Sequence, residues 1–368
     1  MFPNAMVARN GIGDHTRGLA SELVSRGYQI RILGAGAPEA RVDGVRYLDV
    51  WPGDRKRDMT SLYRAIRDNP PDVVLVQFEQ FSYGYRGYNP EFSYIFKGIR
   101  EIDHTIARAL YVHETYTTPG IPPSLGRTAM WAYQRSQVRR LVRGAHVVYH
   151  SSHRGVRQLG RINEASAVMP VFSNIPVMPA TRDSRAALSL WHSGPVVLVF
   201  GNLAEPRRRL IGKAFSAVLA VRPDALLVYA GKDRGGASNL AGPQSIRTFI
   251  DADAATVSEL MGVADMALAP FPDGVSGRRG SFTALLAHAV PTVTTSGRDT
   301  DDYLVTAAAM GAFELSTARE KDFIAAAVRL AADGEYRLWV QRQARRFGQT
   351  LPVPSALADA IDALAHRR

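Results

Sequence analysis

The chain has 368 residues, of which 46% are hydrophobic and 21% charged, a balance that is typical of folded globular proteins and excludes a disordered chain. This length predicts two domains. Cysteine is absent, which excludes disulfides, thiolate metal sites and a cysteine nucleophile. No apolar run approaches about eighteen residues and no secretory signal is visible, so we expect a cytoplasmic protein.

The net charge of +11 favours partners that carry negative charge, such as nucleotide phosphates, anionic lipid surfaces or nucleic acid. No nucleic-acid-binding module is recognisable, so we expect no nucleic acid partner. No cluster of metal-ligating residues is recognisable either, and we expect no metal site.

The first half of the chain alternates predicted strands and helices. Residues 1–8 are barely long enough for a strand and Pro3 interrupts them, so either the first strand is truncated or the true start codon lies upstream. A glycine-rich segment then leads into a helix at about 15–26, for which Asp14 is a candidate N-cap. Further strands are predicted at 29–33, 72–76, 110–112 and 147–149, and a long helix at 128–143.

The alternation stops at 173–193, which we interpret as an interdomain linker, and then starts again. Strands are predicted at 196–200, 226–229, 248–250, 266–269 and 292–294, and helices at 210–221, 256–263, 281–289, 320–332 and in the tail. Two successive halves of this kind predict an α/β fold with two doubly wound Rossmann-like domains that face each other across a ligand-binding cleft. The expected domains are 1–178 and 190–345, and the helical tail 346–368 could pack back on the first domain.

The stretch Ala267–Thr295 has the order strand, loop, helix, strand. Ser281 is the predicted N-cap, so the first N–H groups of the helix point back into the loop. Arg278 and Arg279 flank this helix start, and Gly280 permits a close approach of the backbone. These features predict an anion site, although an ordinary loop with solvated arginines has the same sequence.

Five segments, taken together and in this order, resemble the retaining GT-B glycosyltransferases of family 4 over nearly the whole chain. They are Gly11–Ala20, Val112–Glu114, Phe200–Leu203 with Arg207 and Arg208, Ala264–Pro270, and the stretch Ala267–Thr295. The resemblance implies the GT-B fold and transfer of a sugar from a nucleotide-diphosphate donor to a carbohydrate, lipid-linked or small-molecule acceptor, with retention. It also implies that the protein needs no cofactor and no metal ion.

The resemblance assigns His113 to the donor sugar as the catalytic residue, although a buried core histidine would occupy the same strand end. The donor-binding candidates are Asn202, Arg207, Arg208, Lys213, Asp273, Ser276, Arg278, Arg279, Gly280 and Ser281. The acceptor-side candidates are Gly11, Gly13, Asp14, Glu79 and Tyr83. Alternatives remain at several of them: a solvated basic turn at 207–209, a loop cap at Asp273 and an ordinary loop at Glu79.

The sequence departs from the family at two positions that usually hold glutamates. Counting back from Pro291, these positions hold Ser276 and Ala284. The usual arginine of the phosphate loop falls on Asn202, for which Arg207, Arg208 and Lys213 are candidate replacements. Alanine cannot accept a hydrogen bond from a ribose, so nucleotide binding must differ, and we expect Ala284→Glu to tighten it.

The lost glutamates leave two other functions open. The first is a pseudo-glycosyltransferase or epimerase-like enzyme on the same fold, and the second is a catalytically silent scaffold subunit of a transferase complex. The arginine-rich helix at 128–143 is either a core helix with a wet basic side or a surface that contacts an anionic membrane. The second reading would place the protein at the inner face of the membrane.

Overall fold

The computed structural model describes residues 1, 3–7, 10–51, 59–119, 122–179, 184–188, 190, 194–237, 240 and 245–366. Parts of the predicted linker, at 180–183, 189 and 191–193, lie outside the described residues, as do parts of the predicted first strand at 2 and 8. The contacts within the chain divide it into two compact units. Unit 1 comprises Met1–Val171 and Pro352–Arg368, and unit 2 comprises Phe172–Leu351.

Unit 1 contains two parallel sheets, of two strands (β1 and β2) and of four strands in the order β3-β4-β5-β6. Its strands are β1 (Ile30–Gly34), β2 (Val45–Asp49), β3 (Val73–Phe78), β4 (Ala107–Val112), β5 (Val147–His150) and β6 (Ser166–Val168). Its helices are α1 (Gly11–Ser25), α2 (Thr60–Arg67), α3 (Ile95–Ile102), α4 (Leu125–Gly144), α5 (His153–Leu159) and α14 (Pro354–Ala365).

The first residues of the chain lie where a strand between the two sheets would lie. The amino group of Met1 donates to the carbonyl of Leu75 at 2.6 Å, and the amide of Gln77 donates to the carbonyl of Met1 at 3.0 Å. The amide of Ala35, just after β1, donates to the carbonyl of Pro3 at 2.9 Å. A 3-10 turn at Pro3–Met6 follows, so the described residues form only the beginning of the predicted strand.

The first helix begins earlier than predicted, and its cap is a different residue. The side chain of Asn10 accepts hydrogen bonds from the amides of Ile12 and Gly13, both at 3.1 Å, and is therefore the N-cap. Asp14 lies inside the helix and accepts from Arg17 at 2.5 Å. The prediction of Asp14 as N-cap is wrong, because the asparagine four residues earlier already satisfies the first amides.

The tail helix α14 packs against α1, β3 and β4 of unit 1. Arg26 at the end of α1 pairs with Asp359 at 2.6 Å, and the hydroxyl of Tyr149 donates to the carbonyl of Ala360 at 3.3 Å. Both ends of the described chain therefore contribute to the same compact unit.

Unit 2 contains one parallel sheet of six strands in the order β12-β11-β10-β7-β8-β9. Its strands are β7 (Val196–Phe200), β8 (Leu226–Gly231), β9 (Ile246–Ile250), β10 (Met266–Ala269), β11 (Thr292–Thr295) and β12 (Glu314–Ser316). Its helices are α6 (Ser184–Ala187), α7 (Arg207–Val221), α8 (Arg234–Ala237), α9 (Ala254–Val263), α10 (Gly280–Ala287), α11 (Asp302–Ala309), α12 (Glu320–Ala332) and α13 (Gly334–Gly348).

Apolar side chains from both faces of this sheet pack into separate clusters. Along β7, Val196 and Leu198 belong to one cluster, whereas Val197 and Val199 belong to the other. Successive residues of a strand point to opposite faces, so a continuous apolar run is what a doubly covered parallel strand requires. None of the helices in the described part of the chain combines the length and apolar character needed to cross a bilayer.

Candidate functional site

The strand order of unit 2 places its site. The chain passes from β7 outward through β8 and β9 and then returns to β10 on the other side of β7. The loops that follow β7 and β10 therefore leave the sheet in opposite directions, which opens a crevice at the carboxyl ends of these two strands. The loop after β7 leads into α7, and the loop after β10 leads into α10.

Arg207, the first residue of α7, lies in this crevice. Its side chain is buried and donates to the carbonyl of Phe200 at 3.0 Å and to the carbonyl of Asn202. Its guanidinium carbon lies 5.5 Å from the ring centroid of Phe271, in the loop after β10. The guanidinium carbon of Arg279 lies 4.9 Å from the same centroid. One aromatic ring thus contacts two cations, one from the start of α7 and one from the loop before α10.

Burial lowers the pKa of Arg207 to about 10, and the positive charge of Arg279 lowers it further in the same direction. A pKa of about 10 still leaves the guanidinium protonated at neutral pH. The site therefore holds two like charges in a poorly solvated place, and a bound anion would relieve their repulsion.

Gly201 lets the first turn of α10 approach the loop after β7. Its φ is +96°, a conformation that favours glycine. A methyl group at this position would lie 3.5 Å from Cβ of Ser281 and 3.8 Å from Nη1 of Arg207. Ser281 is in the first turn of α10, which begins at Gly280. The prediction of Ser281 as the N-cap is therefore wrong, because the helix begins at Gly280 and Arg279 occupies the N-cap position.

Three contacts fix the loop between β10 and α10. The amide of Phe271 donates to Oγ1 of Thr295 at 2.8 Å, and that hydroxyl donates back to the carbonyl of Phe271 at 2.7 Å. Gly274 has φ +91° and leaves no room for a side chain, since a methyl group would lie 2.4 Å from the amide nitrogen of Gly297. The amide of Gly277 donates to the buried carboxylate of Asp301 at 2.7 Å.

The predicted donor-binding residues of this loop have different surroundings. Ser276 is almost fully buried, and its hydroxyl has no hydrogen-bond partner among the described residues. Arg278 pairs with the buried Asp299 at 3.0 Å. Asp273 pairs with the exposed Arg298 at 2.7 Å, at the rim of the same loop.

Three predicted residues have partners other than the ring of Phe271. Arg208 pairs with Glu205 at 2.6 Å, and Lys213 pairs with Glu320 on α12 at 2.7 Å. Both pairs are half-exposed or exposed. The side-chain oxygen of Asn202 accepts from the amide of Ala204 at 2.9 Å and shapes the loop, while its carbonyl holds Arg207.

His113 follows β4 in unit 1 and is buried. Its Nε2 lies 2.7 Å from the side-chain oxygen of Gln77, and an amide oxygen can only accept, so this nitrogen carries the proton. The ring contacts Tyr111 and His15, with centroids 4.6 and 5.1 Å away. Burial holds the pKa of His113 well below its usual range, with a smaller contribution from His15.

Glu79 follows β3 on the same edge of the sheet. It accepts hydrogen bonds from the amide of Phe81 at 3.0 Å and the hydroxyl of Ser82 at 2.8 Å. Burial raises the pKa of its carboxyl, partly offset by these hydrogen bonds. Gly11 and Gly13 lie in the first turn of α1, and a methyl group on Gly11 would meet no described atom within 4 Å.

Tyr83 was predicted to line the acceptor side, but the structure buries it completely in the core of unit 1. Its ring stacks on Phe92 with centroids 3.8 Å apart, and its hydroxyl donates to the carbonyl of Gln77 at 2.6 Å. The pattern of alternating aromatic and polar residues in this segment could not show which tyrosine points inward. Tyr85, two residues later, is the exposed one.

Ala284 is fully buried among the apolar side chains of α10 and its neighbours. A glutamate at this position would place a carboxylate in the core, which costs several kcal/mol unless it is paired. The expectation that Ala284→Glu tightens nucleotide binding therefore does not fit the structure. Destabilisation of unit 2 is the expected effect.

Sequence reasoning missed Phe271, Gln77 and His15. Phe271 reads as one more apolar residue after a strand, and its two cationic neighbours come from distant segments. Gln77 and His15 are brought to His113 only by the sheet and by α1. The one available signal was the position of Gln77 at the polar end of an otherwise apolar strand.

The fold of the chain is that of the GT-B glycosyltransferases, which confirms the fold-class prediction. It is similar to sucrose-phosphate synthase from Thermosynechococcus elongatus, with a TM-score of 0.71, 14% identity, and coverage of 96% of this chain and 92% of that one. It is also similar to WaaG, a glycosyltransferase involved in lipopolysaccharide biosynthesis (TM-score 0.68, 13% identity, coverage 96% and 96%). A third similar structure is Anabaena HepE in complex with UDP and glucose, with a TM-score of 0.67, 11% identity, and coverage of 96% of this chain and 95% of that one. No family model and no curated protein matches the sequence.

The buried histidines of unit 1 predict a pH dependence of stability. Burial lowers the pKa of His15 to about 3 and that of His150 to about 4, from 6.5. Below pH 6.5 the unfolded chain therefore binds protons that the folded chain does not, so the free energy of unfolding falls as the pH falls towards 4. Each such histidine contributes up to about 1.4 kcal/mol per pH unit.

We predict that His150→Asn reduces this slope by roughly 1 kcal/mol per pH unit between pH 6 and 4.5, because one titrating group is removed. Urea unfolding of both proteins at several pH values measures it, with His150→Gln as a second uncharged replacement. A slope unchanged in both variants would show that the buried ring is not the group responsible.

Proposed function

We propose that this protein is a glycosyltransferase that moves a sugar from a nucleotide-diphosphate donor to an acceptor hydroxyl, with retention of anomeric configuration. The observation that carries the proposal is the pair Arg207 and Arg279, which meet at Phe271 beside the first turn of α10. This is a site for a compact, multiply charged anion at the switch point of a doubly wound sheet. The UDP complex of HepE, which has the same fold, supports a nucleotide diphosphate as that anion.

In the proposed reaction the bond between the anomeric carbon and the diphosphate oxygen breaks, and a bond from that carbon to the acceptor oxygen forms on the same face. The proton of the acceptor hydroxyl passes to the departing phosphate oxygen. Arg207, Arg279 and the N–H groups at the start of α10 stabilise the negative charge that develops on the leaving group. The nucleotide sugar is a substrate, and the proposed chemistry uses no cofactor and no metal ion.

The loop between β10 and α10 supplies further proposed contacts to the donor. Ser276 has a buried hydroxyl with no hydrogen-bond partner among the described residues, so it is available to a hydroxyl group of the donor. The ion pair of Arg278 with Asp299 orients the loop that carries it. Asp273, at the exposed rim, is the proposed contact for a sugar hydroxyl. Because Ala284 cannot contact the ribose, another group must do so.

His113 is the proposed catalytic residue. Its protonated Nε2 is held by Gln77, so Nδ1 carries the lone pair and can accept a hydrogen bond from a sugar hydroxyl. Burial keeps the ring neutral at physiological pH, so it adds no positive charge beside a developing oxocarbenium ion. Glu79, Gly11, Gly13 and Asp14 remain proposed acceptor-side residues. A carbohydrate, a lipid-linked sugar or a small molecule are the proposed acceptor classes.

We also propose a peripheral contact with the inner face of an anionic membrane, through α4. This helix has five arginines and no acidic residue. Two of these arginines contact an aromatic ring, Arg135 with Trp131 at 5.3 Å and Arg140 with Tyr94 at 5.1 Å between the guanidinium carbon and the ring centroid. Leu125 at its start is 89% exposed. Cationic and aromatic side chains on one surface suit a layer of anionic headgroups.

Replacing Arg135 and Arg143 by Gln should weaken binding to phosphatidylglycerol vesicles roughly 10-fold or more, because each arginine near the surface contributes about 1 kcal/mol. The matched control replaces Arg342 and Arg345 on α13 by Gln, which removes the same charge elsewhere. Vesicle sedimentation measures both. If vesicle binding weakens equally in the two variants, net charge alone explains the binding and α4 is not the membrane contact.

The donor assignment predicts different effects for two neighbouring arginines. Arg207→Ala should cost about 2–3 kcal/mol of UDP binding, because it removes a buried cation from the diphosphate. Arg208→Ala should cost less than about 0.5 kcal/mol, because its partner is the exposed Glu205. Calorimetry with UDP and with uridine separates phosphate from base contacts. Equal affinity of the wild-type protein for UDP and uridine would refute the assignment.

His113→Ala should keep the UDP affinity and lose on the order of 100-fold in kcat, since the contact with the donor sugar is strongest in the transition state. His150→Asn is the matched control, because it changes another buried histidine at a strand end. The transfer rate, the melting temperature and the UDP affinity are measured on one preparation. A His113 variant with reduced stability but a normal rate per folded molecule would make this histidine structural.

The products of the same assay distinguish the other functions. An epimerase-like enzyme would change the sugar without transferring it to an acceptor hydroxyl. A silent scaffold would release no nucleoside diphosphate and would raise the activity of a partner. Release of nucleoside diphosphate together with a glycosylated acceptor supports the proposed function.

A further inference from the structure

The ring of Phe271 contacts both of the cations on which the proposed donor site depends. Arg207 comes from the start of α7 and Arg279 from the residue before α10, so no local hydrogen-bond pattern brings them together. Their guanidinium carbons nevertheless lie 5.5 and 4.9 Å from the centroid of one ring. These distances are within the range in which the negative face of an aromatic ring attracts a cation.

The ring itself is held in place from two directions. Its own backbone exchanges two hydrogen bonds with the hydroxyl of Thr295, at 2.8 and 2.7 Å. The ring of Phe271 packs on that of Phe282 with centroids 6.4 Å apart, and the ring of Phe282 packs on that of Phe313 with centroids 5.0 Å apart. In both pairs the ring planes are nearly perpendicular. Only 6% of Phe271 is exposed. A residue fixed in this way can act as a rigid platform for flexible side chains.

The positive charge of Arg279 repels that of Arg207 and lowers its pKa, and because Arg207 is buried, solvent screens its charge poorly. Among the described residues, the hydrogen bonds of Arg207 go to two carbonyls, and no carboxylate pairs with it. A carboxylate would neutralise the cation and weaken the binding of an anionic ligand. An aromatic face attracts the cation but leaves its charge intact. Phe271 therefore holds positive charge in place without cancelling it.

We propose that Phe271 is a positioning residue that holds Arg207 and Arg279 side by side, so that both guanidinium groups meet one diphosphate-sized anion. The inference rests on the proposed function for the identity of that anion. It adds a role for a residue that touches neither the reacting atoms nor, by its own chemistry, a phosphate. The aromatic character of this side chain, rather than its size, is what the site needs.

The test compares an aromatic with an aliphatic replacement, with inorganic pyrophosphate and UDP as probes. Phe271→Leu should weaken the binding of both roughly 10-fold, because it removes two cation–π contacts in a poorly solvated site. Phe271→Tyr keeps the aromatic face and should stay within about 2-fold of wild type. Phe313→Leu is the matched control, since it removes a ring from the same aromatic row without touching an arginine, and it should bind both probes normally.

A double-mutant cycle gives a readout that a merely structural role would not change. If Phe271 acts through Arg279, then Phe271→Leu and Arg279→Lys should be strongly non-additive in pyrophosphate binding. Additive effects, or a loss in Phe313→Leu equal to that in Phe271→Leu, would overturn the proposal. If Phe271→Leu does not fold, Phe271→Met, which is also non-aromatic, takes its place in the same comparison.

Failure of this inference and failure of the proposed function give different results. If the protein transfers a sugar but Phe271→Leu does not change pyrophosphate binding, the proposed function stands and the positioning role of Phe271 is refuted. Pyrophosphate binding that depends on Phe271, without any sugar transfer, would leave the positioning role and remove the transferase. No pyrophosphate binding by the wild-type protein would refute the positioning role directly.

Discussion

A buried cation, Arg207, with a second and half-buried cation, Arg279, beside the same aromatic ring at the carboxyl edge of a parallel sheet, is the constraint on which the site of unit 2 depends. Arg207 and Arg279 come from opposite sides of the switch point between β7 and β10, and one ring keeps them near each other. Burial and mutual repulsion both lower the pKa of Arg207, but not enough to remove its charge. The folded protein therefore carries an electrostatic cost at Arg207 that a bound anion would reduce, and perturbed charges of this kind are typical of functional sites.

Two glycines allow the backbone segments around Arg207 and Arg279 to approach each other closely. Gly201 allows the first turn of α10 to come near the loop after β7, and Gly274 allows the loop after β10 to touch Gly297 after β11. Two buried carboxylates then hold the loop that carries Arg279, Asp301 through the amide of Gly277 and Asp299 through Arg278. These carboxylates fix the geometry while Arg207 keeps its charge for the ligand. The site thus combines a fixed loop geometry with the buried positive charge of Arg207.

The two positions at which the sequence resemblance implies glutamates have different surroundings in the structure. At position 276 a small buried hydroxyl stands where a carboxylate would add negative charge, so the field around the phosphates stays more positive. At position 284 the side chain is fully buried in the hydrophobic core, and an alanine has no group that could accept a hydrogen bond from a ribose. If the proposed function is correct, we expect nucleotide recognition to depend more on the phosphates than on the ribose.

The sequence predicted the elements that local patterns specify. The apolar runs at β3, β7 and β10 and the break between the halves gave the doubly wound architecture, because strand periodicity and glycine stops are local signals. Contacts between distant segments could not be predicted in this way: Phe271 with its two arginines, or Gln77 with His113. Tyr83 was misplaced because a loop of alternating aromatic residues does not reveal which of them enters the core. Asp14 was misplaced because Asn10 satisfies the same helix amides first.

A crystal structure of the protein with UDP or a UDP-sugar bound would show directly whether Arg207 and Arg279 form the anion site. We expect the diphosphate at the carboxyl ends of β7 and β10, with phosphate oxygens within hydrogen-bond distance of Arg207, Arg279 and the first amides of α10. The ring of Phe271 should remain in contact with both guanidinium groups. A diphosphate bound elsewhere on the protein, with neither arginine in contact with it, would contradict the assignment of this site.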